Sequence, residues 1–156
     1  MLVKIVRRLT LKEVEERINR LKKEYGVSFS EFEELYLAGM LDGPSAEAYF
    51  EWSGLVHAYR GYLENGDLDY TVEETYQMNP EDLRIFTPKR LELLYRLSEL
   101  RVNSINDLAH KVRRNVKNVY QDLKVLSAYD LVALKEKGKK SVVPESLVEE
   151  ITFQMR

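Results

Sequence analysis

The chain has 156 residues, of which 44% are hydrophobic and 32% are charged, and its formal net charge is −2. This composition is typical of a globular protein with one ordinary domain or two small ones. The absence of cysteine excludes disulfides, thiolate metal sites and cysteine nucleophiles, and it suits a reducing compartment. We expect neither a membrane-spanning segment nor a signal peptide, and we therefore expect a cytoplasmic protein.

The small net charge conceals a strong asymmetry along the chain. Residues 1–83 carry 9 basic and 17 acidic side chains, whereas residues 84–144 carry 14 basic and 6 acidic side chains. A basic module attracts polyanions such as nucleic acids. The sequence therefore predicts an acidic N-terminal part and a basic C-terminal part with different partners.

The N-terminal part begins with a possible short strand, Leu2–Val6, and continues with helices. Thr10 and Glu13 have the spacing of a capping box, and Gly26 is a plausible end of the first helix. The apolar residues of this helix recur at helical spacing: Leu11, Val14, Ile18, Leu21 and Tyr25.

Two further helices are predicted before residue 64. Ser30 with Glu33 opens a short one, Gly43-Pro44 breaks the chain, and a longer helix runs over residues 45–63 until Asn65-Gly66. Three short helices make a thin core, so we expect a homodimer or another partner to bury additional surface.

Aromatic residues are concentrated in the third of these helices. The candidate partner-binding residues among them are Tyr49, Trp52 and Tyr59, and His57 lies in the same segment. The cluster has two interpretations: a partner-binding surface, in which tyrosine and tryptophan are enriched, or the core of the N-terminal helices. The sequence does not decide between them.

Residues 64–82 form the least regular segment, with Asn65-Gly66 and Asn79-Pro80 near its ends. We interpret it as a linker, although the alternation of Leu68, Tyr70 and Val72 is compatible with a strand. The predicted division is therefore a helical region at 1–63, a linker at 64–82 and a second domain at 83–156.

The second domain shows three helix starts followed by a hairpin pattern. Thr87 with Pro88, then Ser104, then Asn115 precede apolar residues at helical spacing. Strand patterns at residues 131–135 and 141–143 flank a turn centred on Gly138. The predicted fold class is thus mainly α with a small β-hairpin, namely an α-helical N-terminal region followed by a winged helix-turn-helix domain.

The third helix of this domain carries amide and lysine side chains on its polar face, where asparagine and glutamine suit adenine edges and lysine suits guanine. The predicted base-facing residues are Asn115, Lys117, Asn118 and Gln121. The predicted phosphate contacts are Lys111, Arg113, Arg114 and Lys124. The predicted wing residues are Lys137, Lys139 and Lys140.

These features predict a sequence-specific regulator that binds double-stranded DNA. The alternative is a protein-interaction adaptor, in which the winged helix is architectural and its basic face meets an acidic protein. We expect no enzyme activity, since no glycine-rich phosphate loop and no nucleophile paired with a base is visible. We likewise expect no cofactor and no metal site.

Residues 86–134 resemble winged-helix regulators of the MarR and ArsR types, and most closely the short DNA-binding proteins regarded as antitoxins of TumE-type toxin–antitoxin pairs. The pattern "LA…R…KNV…D…L…LV" is carried by Leu108, Ala109, Arg114, Lys117, Asn118, Val119, Asp122, Leu126, Leu131 and Val132. The resemblance implies an autorepressor whose acidic N-terminal part holds a cognate toxin. Where such families place glycine before "LV", this chain has Asp130, which tolerates the left-handed conformation better than most residues.

Overall fold

The structure is a computed structural model that describes all of residues 1–156, and 53% of them are helical. Its elements are β1 (Leu2–Arg8), α1 (Leu11–Tyr25), α2 (Phe29–Leu37), α3 (Gly43–Asn65), β2 (Thr71–Gln77), a 3-10 helix (Asp82–Ile85), α4 (Pro88–Glu99), α5 (Ile105–Lys111), α6 (Val116–Ala128), β3 (Val132–Lys137), β4 (Ser141–Ser146) and β5 (Val148–Gln154). At this coarse level the prediction of a mainly helical chain with a small β component is confirmed. No helix is both long and apolar enough to cross a bilayer.

The chain divides into two compact units, and the division differs from the predicted one. Arg8–Thr71 forms a helical unit, whereas Met1–Arg7 and Val72–Arg156 together form a mixed unit. The N-terminal strand thus belongs with the C-terminal half. Val3 and Ile5 alternate on the buried side of β1, and strands from residues 71–77 and 148–154 pair with it.

The helical unit begins with the predicted capping box. The Thr10 side chain accepts a hydrogen bond from the Glu13 backbone, the Glu13 carboxylate accepts one from the Thr10 backbone, and Gly26 ends α1 in the left-handed conformation (φ 67°). Two predicted starts are wrong. Ser28, not Ser30, caps α2, and Gly43-Pro44 lies in the first turn of α3 instead of breaking the chain. Proline is favoured there because the first backbone N–H groups of a helix need no internal partner.

The core of the helical unit is built from side chains of all three helices and of the residue that precedes the Thr10 N-cap. Its buried hydrophobic residues are Leu9, Val14, Leu21, Phe32, Trp52 and Leu55. Trp52 is surrounded by the rings of Tyr25, Phe29 and Phe32 at centroid distances of 6.5, 5.6 and 5.2 Å. Aromatic side chains therefore provide much of the burial that the thin three-helix unit obtains.

The mixed unit contains two sheets. One has the strand order β2-β1-β5, and the other is the β3–β4 hairpin. β1 and β5 are antiparallel, with Ile5 opposite Ile151, and Met1 and Met78 exchange backbone hydrogen bonds beside β2. The segment predicted as a linker, residues 64–82, therefore contains a strand of this sheet, because its alternating side chains match the period of a strand.

The three helices of the mixed unit begin where the sequence predicts. Thr87, Ser104 and Asn115 each cap a helix through a side-chain oxygen that accepts a backbone hydrogen bond. The core brings these helices together with both sheets, through residues such as Leu93, Leu108 and Leu123. The hairpin extends further than predicted, since its strands pair from Val132–Ser146 to Lys137–Ser141.

Candidate nucleic-acid interface

A four-residue turn, Val112–Asn115, fixes the start of α6 relative to α5. Arg113 adopts a left-handed conformation (φ 54°), and its N–H donates to His110 O while the N–H of Arg114 donates to Ala109 O. These two bonds define a Schellman ending of α5, which usually places glycine where Arg113 stands. The turn thus holds an arginine in a conformation that costs about 1 kcal/mol for a residue with a Cβ atom.

The other end of α6 closes with the same motif. Asp130 is also left-handed (φ 57°), and the N–H of Leu131 donates to Leu126 O. The expectation that Asp130 takes over the conformation of a glycine is confirmed. The C-terminal end of α6 is therefore closed by backbone hydrogen bonds, whereas its N-terminal end is capped by the Asn115 side chain.

A buried ion-pair cluster ties α6 to α4. The Asp122 carboxylate accepts from Arg90 Nε at 3.0 Å and from Arg114 Nη2 at 2.7 Å. Arg90 Nη1 also donates to Arg84 O at 3.2 Å. All three charged side chains are largely buried. The prediction that Arg114 contacts phosphate is therefore not supported by its position, because its guanidinium is turned inward and paired.

The outer face of α6 carries no negative charge. Lys117, Asn118, Gln121 and Lys124 are all exposed. The one acidic residue of α6 is Asp122, which is engaged in the buried cluster. Asn115 Oδ1 accepts from the backbone of Lys117 at 2.8 Å, so Asn115 acts first as the N-cap, and its amide nitrogen is the group left to reach a ligand.

The cationic side chains near the turn between α5 and α6 differ in how far they are paired within the protein. Lys111 Nζ donates to Arg101 O at 2.6 Å and to Asp107 Oδ2 at 3.2 Å. The backbone N–H of Asn103 and then Lys111 lower the pKa of Asp107. Lys111 is therefore partly neutralised within the protein, whereas the Arg113 side chain is exposed.

The hairpin tip is the second basic feature of the mixed unit. Lys137, Lys139 and Lys140 are exposed there, and Gly138 provides the left-handed turn position (φ 72°). Lys135, two residues before Lys137 on β3, is instead paired with Glu145 at 2.6 Å. The three predicted wing lysines thus lie at the tip of the hairpin, Lys137 at the end of β3 and the other two in the turn.

Two exposed apolar side chains of α6 were not identified from the sequence as site residues. Val116 is 44% exposed and Tyr120 is 45% exposed. Val116 is the first residue of the helix, where no further turn covers it. The Lys124 Nζ lies 5.6 Å from the centroid of the Tyr120 ring, which is a cation–π distance.

The aromatic cluster of the helical unit separates into core and surface. Trp52 is completely buried, so of the two interpretations the core of the N-terminal helices holds for this residue, and Trp52 is not exposed for a partner. Tyr49 is half-buried, and its hydroxyl donates to Glu33 at 2.9 Å, which raises the pKa of Tyr49. Tyr59 lines a cavity of about 590 Å³ beside Val56.

A polar cluster also lies beside the C-terminal end of α6. The buried Arg7 guanidinium donates to Glu74 at 2.7 Å, and the Tyr76 hydroxyl donates to the same carboxylate at 2.6 Å. Burial and the bond to Glu74 raise the pKa of Tyr76 to about 12. A cavity of about 350 Å³ adjoins this cluster and is lined by Tyr76, Tyr129 and Asp130, among others. No group of three or more potential metal ligands is present.

Among known proteins, the model of the HVO_A0114 family, which is uncharacterised, matches residues 85–151. The match covers less than half of the chain and extends from the end of the 3-10 helix into β5. It thus includes α4, α5, α6 and the hairpin and leaves out the helical unit. No curated protein and no solved structure matches the chain.

Proposed function

We propose that the mixed unit is a winged helix-turn-helix module that binds double-stranded DNA, and that the protein is a sequence-specific regulator of transcription. In this proposal α6 enters the major groove and the β3–β4 hairpin lies on the adjacent backbone. The element order, with a four-residue turn between α5 and α6, agrees with that motif.

The observation that carries the proposal is the charge distribution on α6. Exposed helix surfaces of ordinary proteins mix acidic and basic side chains, but here the single acid is largely buried between two arginines, and the polar groups of the outer face are only lysine and amide groups. Asparagine and glutamine can pair with adenine, and lysine with guanine. Lys124, Arg113 and the hairpin lysines supply positive charge for phosphates on either side.

The proposal is tested with the double variant Lys117→Ala/Gln121→Ala. Fluorescence anisotropy is measured on a duplex from the region upstream of the coding sequence and on a scrambled duplex. We expect the variant to lose at least tenfold in affinity for the upstream duplex, because a good side-chain pair to a base is worth about 1–3 kcal/mol. The matched control, Lys23→Ala/Gln154→Ala, removes the same residue types elsewhere and should bind normally.

Exposed apolar side chains on the helical unit favour a second, additional function, which is the binding of a protein partner. Leu37 is 75% exposed and Phe50 is 62% exposed, and the Phe50 ring packs on Tyr36 at 5.4 Å. This supports the proposal that the regulator is an antitoxin whose helical unit holds a toxin. Phe50→Asp is expected to abolish capture of a co-expressed neighbouring gene product while DNA binding persists; capture that survives would refute this part.

A pure adaptor remains the competing hypothesis, and its prediction is different. An adaptor would bind DNA weakly at every salt concentration, whereas phosphate contacts make DNA affinity fall steeply as salt rises. We also propose a homodimer, for which a palindromic site is expected. Sedimentation of the protein alone and on DNA measures this stoichiometry.

A further inference from the structure

The exposed face of α6 has an apolar flank. Val116 and Tyr120 lie four residues apart, so they occupy the same side of the helix, and each exposes more than two fifths of its surface. Scattered exposed apolar residues are ordinary in proteins. These two, however, adjoin Lys117 and Lys124 on a helix face that carries no exposed acid.

The side chains of this face are arranged by chemical type. With about 100° of rotation per residue, the order across the face is Val116, Tyr120, Lys124, Lys117, Gln121 and Asn118. The face therefore changes from apolar, through cationic, to amide. The cationic centre contacts the apolar flank, since the Lys124 ammonium group lies over the Tyr120 ring.

The major groove of DNA offers one apolar group on the base edges, which is the 5-methyl group of thymine. We propose that Val116 and Tyr120 contact thymine 5-methyl groups, so that the preferred duplex has thymine at the positions under this flank. The inference rests on the proposed function and names the chemical feature of DNA that the helix selects. Phosphates and the other groups on the base edges are polar, so they offer no apolar surface against which the Val116 side chain could pack.

The test begins with the full-length protein and a pool of random duplexes, from which bound sequences are enriched. Each thymine of an enriched duplex is then replaced singly by uracil, which keeps every hydrogen-bonding group and removes only the methyl group. We expect one or two replacements to lower affinity about fourfold each, as expected for the loss of one buried methyl-sized group. Replacements elsewhere in the site should have little effect.

Variants connect the methyl effect to the two side chains. Val116→Ser removes both methyl groups of the valine side chain, and Tyr120→Ala removes the ring. Each variant is expected to bind the thymine and uracil duplexes with nearly equal affinity at the position that its residue contacts. This is the result that a double-mutant cycle gives for coupled groups. Tyr95→Ala is the matched control, because Tyr95 is an exposed tyrosine on α4, and it should retain the fourfold discrimination.

The outcomes separate the inference from the function on which it rests. If no duplex is enriched above the random pool, the DNA-binding proposal fails and the inference fails with it. If duplexes are enriched but uracil is accepted at every position, the protein binds DNA and the thymine inference alone is overturned. It is also overturned if Val116→Ser and Tyr120→Ala discriminate as the natural protein does.

Discussion

Arg113 combines an unfavourable backbone conformation with an exposed positive charge. Glycine relieves the left-handed conformation but has greater backbone freedom when unfolded. Arg113→Gly is therefore expected to raise the free energy of unfolding by only about 0.5–1 kcal/mol, while weakening DNA binding. Urea titration and anisotropy measure the two effects. Arg113→Lys keeps the charge and the conformation, and it should change neither quantity appreciably; a Gly variant less stable than the natural protein would contradict the account of the turn.

Asp122 is expected to matter for stability more than for recognition. Asp122→Asn removes the charge that two largely buried arginines share, and breaking a buried pair costs about 3–5 kcal/mol. Chemical denaturation should show a loss in this range. Asp67→Asn, at an exposed position, is the control and should stay within about 0.5 kcal/mol of the natural protein. A small loss for Asp122→Asn would mean that the cluster does not hold α6.

Tyr76 makes the free energy of unfolding depend on pH in the alkaline range. Its pKa is raised from 10.0 to about 12 in the folded protein, so the folded state keeps the phenol proton more tightly than the unfolded state. The corresponding stabilisation is present below pH 10 and is lost as the pH rises from 10 through about 12. Tyr76→Phe should therefore lose less stability over that window in denaturation experiments. An identical pH dependence for both proteins would contradict the assigned environment.

At the scale of elements, local signals in the sequence were sufficient for most helix ends. The Thr10–Glu13 box, the Thr87 cap and the Asn115 cap each depend on residues within one turn, and the structure confirms them. The pairing of β1 with β5 could not be predicted in this way, because it joins residues about 150 positions apart and neither strand indicates its partner. The pairing of Arg114 could not be predicted for a similar reason, because its partner Asp122 lies on the next helix, two turns into it.

The quoted sequence pattern combines residues of the core with residues of the exposed face of α6. Most residues of the quoted "LA…R…KNV…D…L…LV" pattern are core or ion-pair residues, for example Leu108, Val119 and Asp122. Lys117 and Asn118 are its exposed members. The pattern therefore predicts the fold of this module better than it predicts the DNA that the module binds.

The hairpin is an element whose contribution can be removed without disturbing the core. Changing Lys137, Lys139 and Lys140 together to alanine should lower DNA affinity and reduce the slope of log affinity against log salt by roughly 2 to 3. The free energy of unfolding should remain nearly constant, because the three side chains are exposed. Changing Lys12, Lys22 and Lys23 to alanine alters the net charge equally and is the control. Equal effects of both triple variants would indicate nonspecific charge attraction.

At the scale of the molecule, the acidic and basic parts of the sequence correspond only approximately to the two units. Residues 1–7 and 72–83 belong to the mixed unit, although composition placed them in the acidic part. The helical unit nevertheless keeps its excess of acidic side chains, and most exposed lysines that could meet phosphate lie in the mixed unit. In the proposed function, one unit binds DNA and the other is available to a protein partner.

The measurement that tests the central claim most directly is the salt dependence of binding to the upstream duplex, compared with the scrambled one. Arg113, Lys124 and the three hairpin lysines represent roughly five phosphate contacts per chain, so the slope of log affinity against log salt should be about −4 to −5 per chain. The upstream duplex should remain preferred at physiological salt. Weak binding with a shallow slope, or no preference between the two duplexes, would contradict the account.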